Sequence, residues 1–148
     1  MGKVIGIAAK EKEGTEMVVY ASAKVSFEHG VGDDYRGSKK DDRQVSVMSL
    51  ESWNAVCVEL DRKLHWTKRN VNILVEGIDL ENSTGDILKI GNFYIEITGE
   101  LKPGNKMDKV FVGLKQALTP NWRGGVTGKV ISEGMINEGD KVTMMERA

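Results

Sequence analysis

Residues 87–101 read ILKIGNFYIEITGEL. Phe93, Ile95 and Ile97 alternate with Tyr94, Glu96 and Thr98, and Gly91-Asn92 supplies a turn between two apolar runs. Period-two alternation around such a turn predicts a hairpin with one buried face. The same period recurs on either side. Val4, Ile5 and Ile7 suggest a first strand, Met17–Phe27 a long second one, and Val45 and Val47 another within Arg43–Met48. His65–Val75 reads as extended chain, and Gly77 to Gly85 as a turn. Gly125–Met145 reads as a last hairpin, with Val126, Gly128 and Val130 facing Val142 and Met144 across Asn137–Asp140.

Two segments change period. Ser49 is placed as a helix N-cap, and Leu50, Trp53, Val56, Cys57 and Leu60 follow on one helical face. Met107–Leu118 predicts a short helix ended by Pro120. Glu28–Asp42 is rich in charge and glycine and poor in core residues, so it is a long loop by composition. Loops of that length in compact domains usually carry function or are disordered. The sum is a mainly β, barrel-like mixed sheet with two or more short inserted helices. The 148 residues suit one domain, 1–148.

Composition removes several functions. Lys and Arg number 21 against 22 Asp and Glu, a balance unlike that of a dedicated nucleic-acid or membrane-surface binder. One cysteine excludes an intramolecular disulfide and any multi-cysteine metal site, and His29 and His65 lie too far apart for a histidine metal motif. No apolar run approaches the ~20 residues of a membrane span. No secretory leader is evident, and the expected compartment is the cytoplasm, with Cys57 reduced. Gly30-Val31-Gly32 lacks dinucleotide-loop spacing, and Gly124 to Lys129 lacks the first glycine and the hydroxyl of a phosphate loop. Basic residues gather at 36–43, 68–69 and 102–109 without an aromatic stripe.

Six segments, in order, resemble the MOSC family, named for the C-terminal domain of molybdenum cofactor sulfurases. They are Gly32-Asp33-Asp34-Tyr35-Arg36-Gly37, Arg43-Gln44-Val45-Ser46, Ser49-Leu50-Glu51-Ser52-Trp53, the run Arg69 to Gly77, the run Gly99 to Met107, and Asn121-Trp122-Arg123-Gly124-Gly125-Val126. The resemblance covers about residues 18–142. It implies a fold similar to the MOSC and pyruvate-kinase β-barrels. It also implies binding of the molybdenum cofactor (molybdopterin), sulfur or cofactor handling for molybdoenzymes, or reduction of N-hydroxylated compounds by a molybdenum-dependent enzyme. Pyridoxal phosphate is a further family label, inherited from the desulfurase domain fused in the sulfurases. Nothing in this sequence marks a pyridoxal-phosphate lysine.

One departure bears on chemistry. The family places a cysteine, as metal ligand or persulfide carrier, directly after the proline of the segment aligned with Lys102–Met107. Here Gly104 follows Pro103. Glycine neither ligates a metal through a side chain nor carries sulfur, so independent sulfurtransferase or oxidoreductase activity is in doubt and no metal ligand is assigned. Cys57, on an apolar helix face, reads as a small core residue.

The resemblance and the residue types together nominate a cofactor site of Arg43, Asn72, Lys102, Lys106 and Arg123, suited to an anionic small molecule. Arg43 either contacts a phosphate bidentately or pairs with Asp33, Asp34, Asp41 or Asp42. Asn72, in an apolar strand run, either orients a ligand or ties down a loop. Arg69 and Lys68 either line the same pocket or, the favoured reading, are strand-edge charges; Arg36 either contacts an anion as Arg43 does or, the favoured reading, is solvated loop surface. Lys102 and Lys106 flank Gly104, and Arg123 precedes two glycines with exposed amides. Three roles remain open: an accessory that handles cofactor for a molybdoenzyme or biosynthesis protein, an enzyme, or a non-catalytic protein-interaction module.

Overall fold

A computed structural model describes residues 2–39 and 41–146. Seven of its strands close into a barrel: β1 (Gly2–Ala9), β5 (Val45–Ser49), β6 (Ile73–Glu76), β7 (Ile87–Ile90), β8 (Phe93–Glu100), β9 (Val126–Val130) and β11 (Lys141–Met145). The order is β11-β7-β8-β9-β5-β6-β1, and Gly2 opposite Val142 closes β1 onto β11. Closure leaves no open sheet edge in the ring. β5 and β6 are parallel, and every other neighbouring pair in the ring is antiparallel. β2 (Val18–Tyr20) lies outside β1, and β10 (Gly134–Asn137), β3 (Ser22–Ser26) and β4 (Gly30–Val31) form a separate small sheet.

A parallel pair needs a crossover. Here α1 (Leu50–Leu60) begins it. The Ser49 hydroxyl accepts a hydrogen bond from the Ser52 amide at 3.1 Å, as the sequence predicts, and Asp61 ends the helix at φ 49°. Alternation along the strands then makes two cores. Val45, Val47, Ile73, Val75, Phe93, Ile95, Ile97 and Val126 fill the barrel. Met48 and Leu74, on the opposite faces of their strands, pack outside it against Trp53 and Val56 of α1 and against Leu114 and Leu118. None of the described helices is long and apolar enough to cross a membrane.

The hairpin read from residues 87–101 is present, with Ile90 opposite Phe93 and Gly91 at φ 54°. The predicted last hairpin is not. β9 lies between β8 and β5, while β11 pairs with β7 and β1, and β10 leaves the ring to pair with β3. Period-two patterning specifies which face is buried, not which strand lies alongside. The predicted second strand also divides, β2 joining β1 and β3 joining β10. The segment from His65 opens with a 3-10 turn at Trp66–Arg69, and Asn70 at φ 64° turns the chain back into extended form. The helix predicted over Met107–Leu118 is two: α2 (Lys106–Val110) and α3 (Leu114–Leu118). Phe111 is extended between them and Gly113 sits at φ 94°.

Candidate functional site

β5 presents Val45 and Val47 to the barrel interior, so Ser46 faces outward. β9 does the same with Thr127, which lies opposite Ser46. Above this pair opens a cleft of about 650 Å³. One wall is the loop that supplies Tyr35, Arg36, Lys39 and Arg43, and the other is the segment Leu101–Met107.

The first wall is held by buried polar groups. The Asp34 carboxylate, 3% exposed, accepts from the Lys10 amide at 3.1 Å, the Arg36 amide at 3.0 Å and the Asn72 side-chain amide at 3.0 Å. Gln44 anchors the base of the loop. Its amide donates to the Phe27 and Gly37 carbonyls, and its oxygen accepts from the Val130 amide at 3.0 Å. Lys40, inside the basic stretch at 36–43, lies outside the described residues.

Arg69 is the buried cation of the cleft. It is 5% exposed, which corrects the strand-edge reading. Its guanidinium donates to the Leu101 carbonyl at 2.7 Å and to the Gly124 carbonyl at 3.1 Å, and lies 3.8 Å from the Met107 sulfur. These bonds tie the second wall to the chain that enters β9. No carboxylate pairs with it among the described residues. Burial, and then the charges of Arg36 and Arg43, lower its pKa from the ordinary arginine value to about 10. The group therefore stays charged at neutral pH, in a place where its charge is penalised.

The other nominated residues divide by position. Arg43, Lys102 and Lys106 line the cleft and are exposed. The Arg43 amide donates to Asp41 at 2.9 Å, but its guanidinium forms no ion pair among the described residues. Arg36, read from sequence as solvated surface, is partly buried in the cleft wall. It donates to the Tyr35 hydroxyl at 3.2 Å, with its guanidinium 5.7 Å from the centre of that ring. The Lys39 ammonium lies 5.6 Å from the same ring.

Asn72 sits behind the floor rather than in the cleft lining, and is 4% exposed. Its oxygen accepts from the Ser46 amide at 3.2 Å and the Ser46 hydroxyl at 3.3 Å. Its amide donates to the Ala8 carbonyl at 3.0 Å and to Asp34 at 3.0 Å. An asparagine side chain has two donor hydrogens and two acceptor sites, and all four are engaged within the protein. Arg123 lies away from the cleft. It pairs with Glu59 at 2.9 Å and donates to the Ala117 carbonyl at 3.0 Å. Its neighbour Gly124 contributes instead, through the carbonyl that receives Arg69.

Cys57 is half-buried on the helical side, 3.9 Å from the Leu64 carbonyl. Asp108 accepts from the Lys115 amide and lines a different hollow. A Cβ built on Gly104 meets nothing within 4 Å, so a side chain has room there. Among the described residues no three His, Cys, Asp or Glu side chains converge as a metal site.

Comparison with known families now decides the assignment. The MOSC domain matches residues 34–143, most of the chain. This chain belongs to the MOSC domain family. Three solved structures share the MOSC fold at 16% identity each. The YUAD protein from Bacillus subtilis has a TM-score of 0.84 over 100% of this chain and 98% of its own. YiiM from Geobacillus stearothermophilus scores 0.77 over 99% and 76%. YiiM from Escherichia coli scores 0.72 over 99% and 71%. A search of curated proteins finds no match.

The fit of this MOSC domain to a molybdenum cofactor separates into two parts. The cations around the cleft suit the phosphate of molybdopterin. The wall at Gly104 supplies no cysteine thiolate to the metal.

Proposed function

We propose that this MOSC domain binds a phosphorylated, anionic pterin, the molybdenum cofactor or a relative of it, as a carrier or accessory to a cytoplasmic molybdoenzyme or cofactor-biosynthesis protein. One observation carries the reading. Arg36, Lys39, Arg43, Arg69, Lys102 and Lys106 line one cleft, and none forms an ion pair among the described residues. Asp41 is the carboxylate in the same lining. A lining of this kind is costly until an anion enters, most of all for buried Arg69. Guanidinium groups hold phosphate through paired hydrogen bonds, and the lysines act as point charges.

When bound, the molybdenum cofactor supplies redox and atom-transfer chemistry at its metal. This chain's residues bind its phosphate and orient it. Glycine at 104 offers no thiolate to the metal and no carrier for sulfane sulfur, and Cys57 is not in the cleft lining. The reading is therefore of binding without independent sulfur transfer.

The test uses protein purified from a host rich in molybdenum cofactor, beside a Gly104→Cys variant. Molybdenum is measured by mass spectrometry and released pterin by fluorescence. Near-stoichiometric pterin and metal in the unaltered protein supports the carrier. Cofactor in the variant alone means that the cleft lacks only its ligand. Cofactor in neither folded protein overturns the proposal and favours a protein-interaction module. Turnover of N-hydroxylated bases by the unaltered protein would establish the reductase instead.

A further inference from the structure

Two hydroxyls at the floor of the cleft differ in chemistry from its walls. Ser46 on β5 and Thr127 on β9 face each other across the strands, and each is 6% exposed. Both line the cleft. The Ser46 hydroxyl donates to the Asn72 side-chain oxygen at 3.3 Å and accepts from the Asn72 backbone amide at 3.0 Å. The Thr98 hydroxyl donates to the Asp42 carbonyl, so in its 2.7 Å contact with Thr127 the Thr127 hydroxyl is the donor. The other acceptor open to Thr127, the Gly99 carbonyl at 3.3 Å, also lies within the protein. A hydroxyl has one hydrogen and two lone pairs. Both floor hydrogens are thus used inside the protein. Among the described residues, one lone pair on Ser46 and those on Thr127 are left over.

The floor therefore offers acceptors, where the walls offer the donors Arg36, Lys39, Arg43, Arg69, Lys102 and Lys106. A phosphate dianion carries only lone pairs and gains nothing from such a floor. A group that donates hydrogen bonds does. Facing residues of an antiparallel pair set their Cβ atoms about 4.5–5.5 Å apart. A planar amino group that donates both hydrogens, at about 2.9 Å each and about 120° apart, spans about 5 Å between its acceptors. One amino group thus suits both oxygens at once. Asp41, the carboxylate of the lining, is exposed and already accepts from the Arg43 amide.

We propose that Ser46 and Thr127 set the specificity of the cleft for the ring of its ligand, by accepting hydrogen bonds from a planar amino group, so that a 2-amino heterocycle is taken and its 2-oxo counterpart rejected. This rests on the reading of the cleft as a site for a phosphorylated pterin and names the residues that recognise the ring.

Fluorescence titration of the full chain tests it, with 6-hydroxymethylpterin phosphate and with 6-hydroxymethyllumazine phosphate, which has an oxygen in place of the 2-amino group. The pterin ester is expected to bind at least about tenfold more tightly, because the lumazine oxygen would face two acceptors. Thr127→Val keeps the shape of the side chain and removes its oxygen, and should lower that preference at least about threefold. Thr127→Ser, which retains a hydroxyl, should keep the preference. A merely structural role for Thr127 would change both affinities alike and leave their ratio intact. If the unaltered protein binds the two esters equally, or if Thr127→Val leaves the ratio as it was, the inference is overturned and the anion site stands. If neither ester binds the folded protein, the inference falls together with the proposed function.

Discussion

Asn72 connects the barrel to the cleft, and its removal has a size that follows from the structure. Asn72→Ala deletes four buried hydrogen bonds: two from Ser46, one to the Ala8 carbonyl and one to the Asp34 carboxylate. A neutral bond contributes about 1 kcal/mol and one to a charged group about 2 kcal/mol. The loss is about 4 kcal/mol, allowing some relaxation around the Ser46 hydroxyl. For a chain of this length that is a fall in Tm of about 8–16 °C. Urea unfolding at neutral pH, read at the midpoint with an unchanged slope, measures it. Asn72→Asp should behave differently. It would set a second carboxylate where an amide now lies 3.0 Å from Asp34. One of the two acids would then take a raised pKa. The stability contributed by its protonated form would be present at low pH and lost as pH rises through that value. A cost below about 1 kcal/mol for Asn72→Ala, or an Asn72→Asp deficit that does not shrink on acidification, would refute the network described here.

Arg69 has its pKa lowered to about 10, so the stability tied to its neutral form is full above the ordinary arginine value and lost as pH falls through the folded one. The stability of the unaltered protein relative to Arg69→Met should thus rise by about 1 kcal/mol from pH 9 to pH 11, and a flat difference would contradict the assignment. Gly125 sits at φ 97° with the Val47 carbonyl 2.3 Å from where a Cβ would stand. Gly125→Ala should cost about 3 kcal/mol or more, or yield insoluble protein, and wild-type stability in denaturant would count against the close approach of Gly125 to β5. Arg123→Ala removes a partly exposed pair with Glu59. It should cost at most about 1 kcal/mol and leave the pterin content of the purified protein unchanged, so a large loss of pterin would bring Arg123 into the site.

What the sequence makes legible is local. The hairpin at 87–101 rests on its own turn and alternation, and the start of α1 on Ser49 and the residues that follow it. The partners of β9 and β11 are settled by closure of the ring, which no short window contains. The helix predicted over Met107–Leu118 breaks because Gly113 takes a left-handed conformation beside Leu60 of α1. The site follows the same division. Arg43, Lys102 and Lys106 are visible as charges around a long loop and a Pro-Gly turn. Arg69 is not, because Lys68, Arg69 and Asn70 together look like a solvated edge. Its burial is set by carbonyls 32 and 55 residues away. Asn72 is legible as an asparagine that needs partners, but those partners come from β1, β5 and the Asp34 loop.

In the proposed function the cations of this cleft hold a phosphorylated pterin. Its most direct test is the pterin content of protein purified from a cofactor-rich host, compared between the unaltered chain and Arg43→Glu, an exposed position where charge reversal spares the core. Close to one pterin per chain is expected in the first and little in the second, with both folded by circular dichroism. Equal pterin in the two, or none in the unaltered protein, would contradict it.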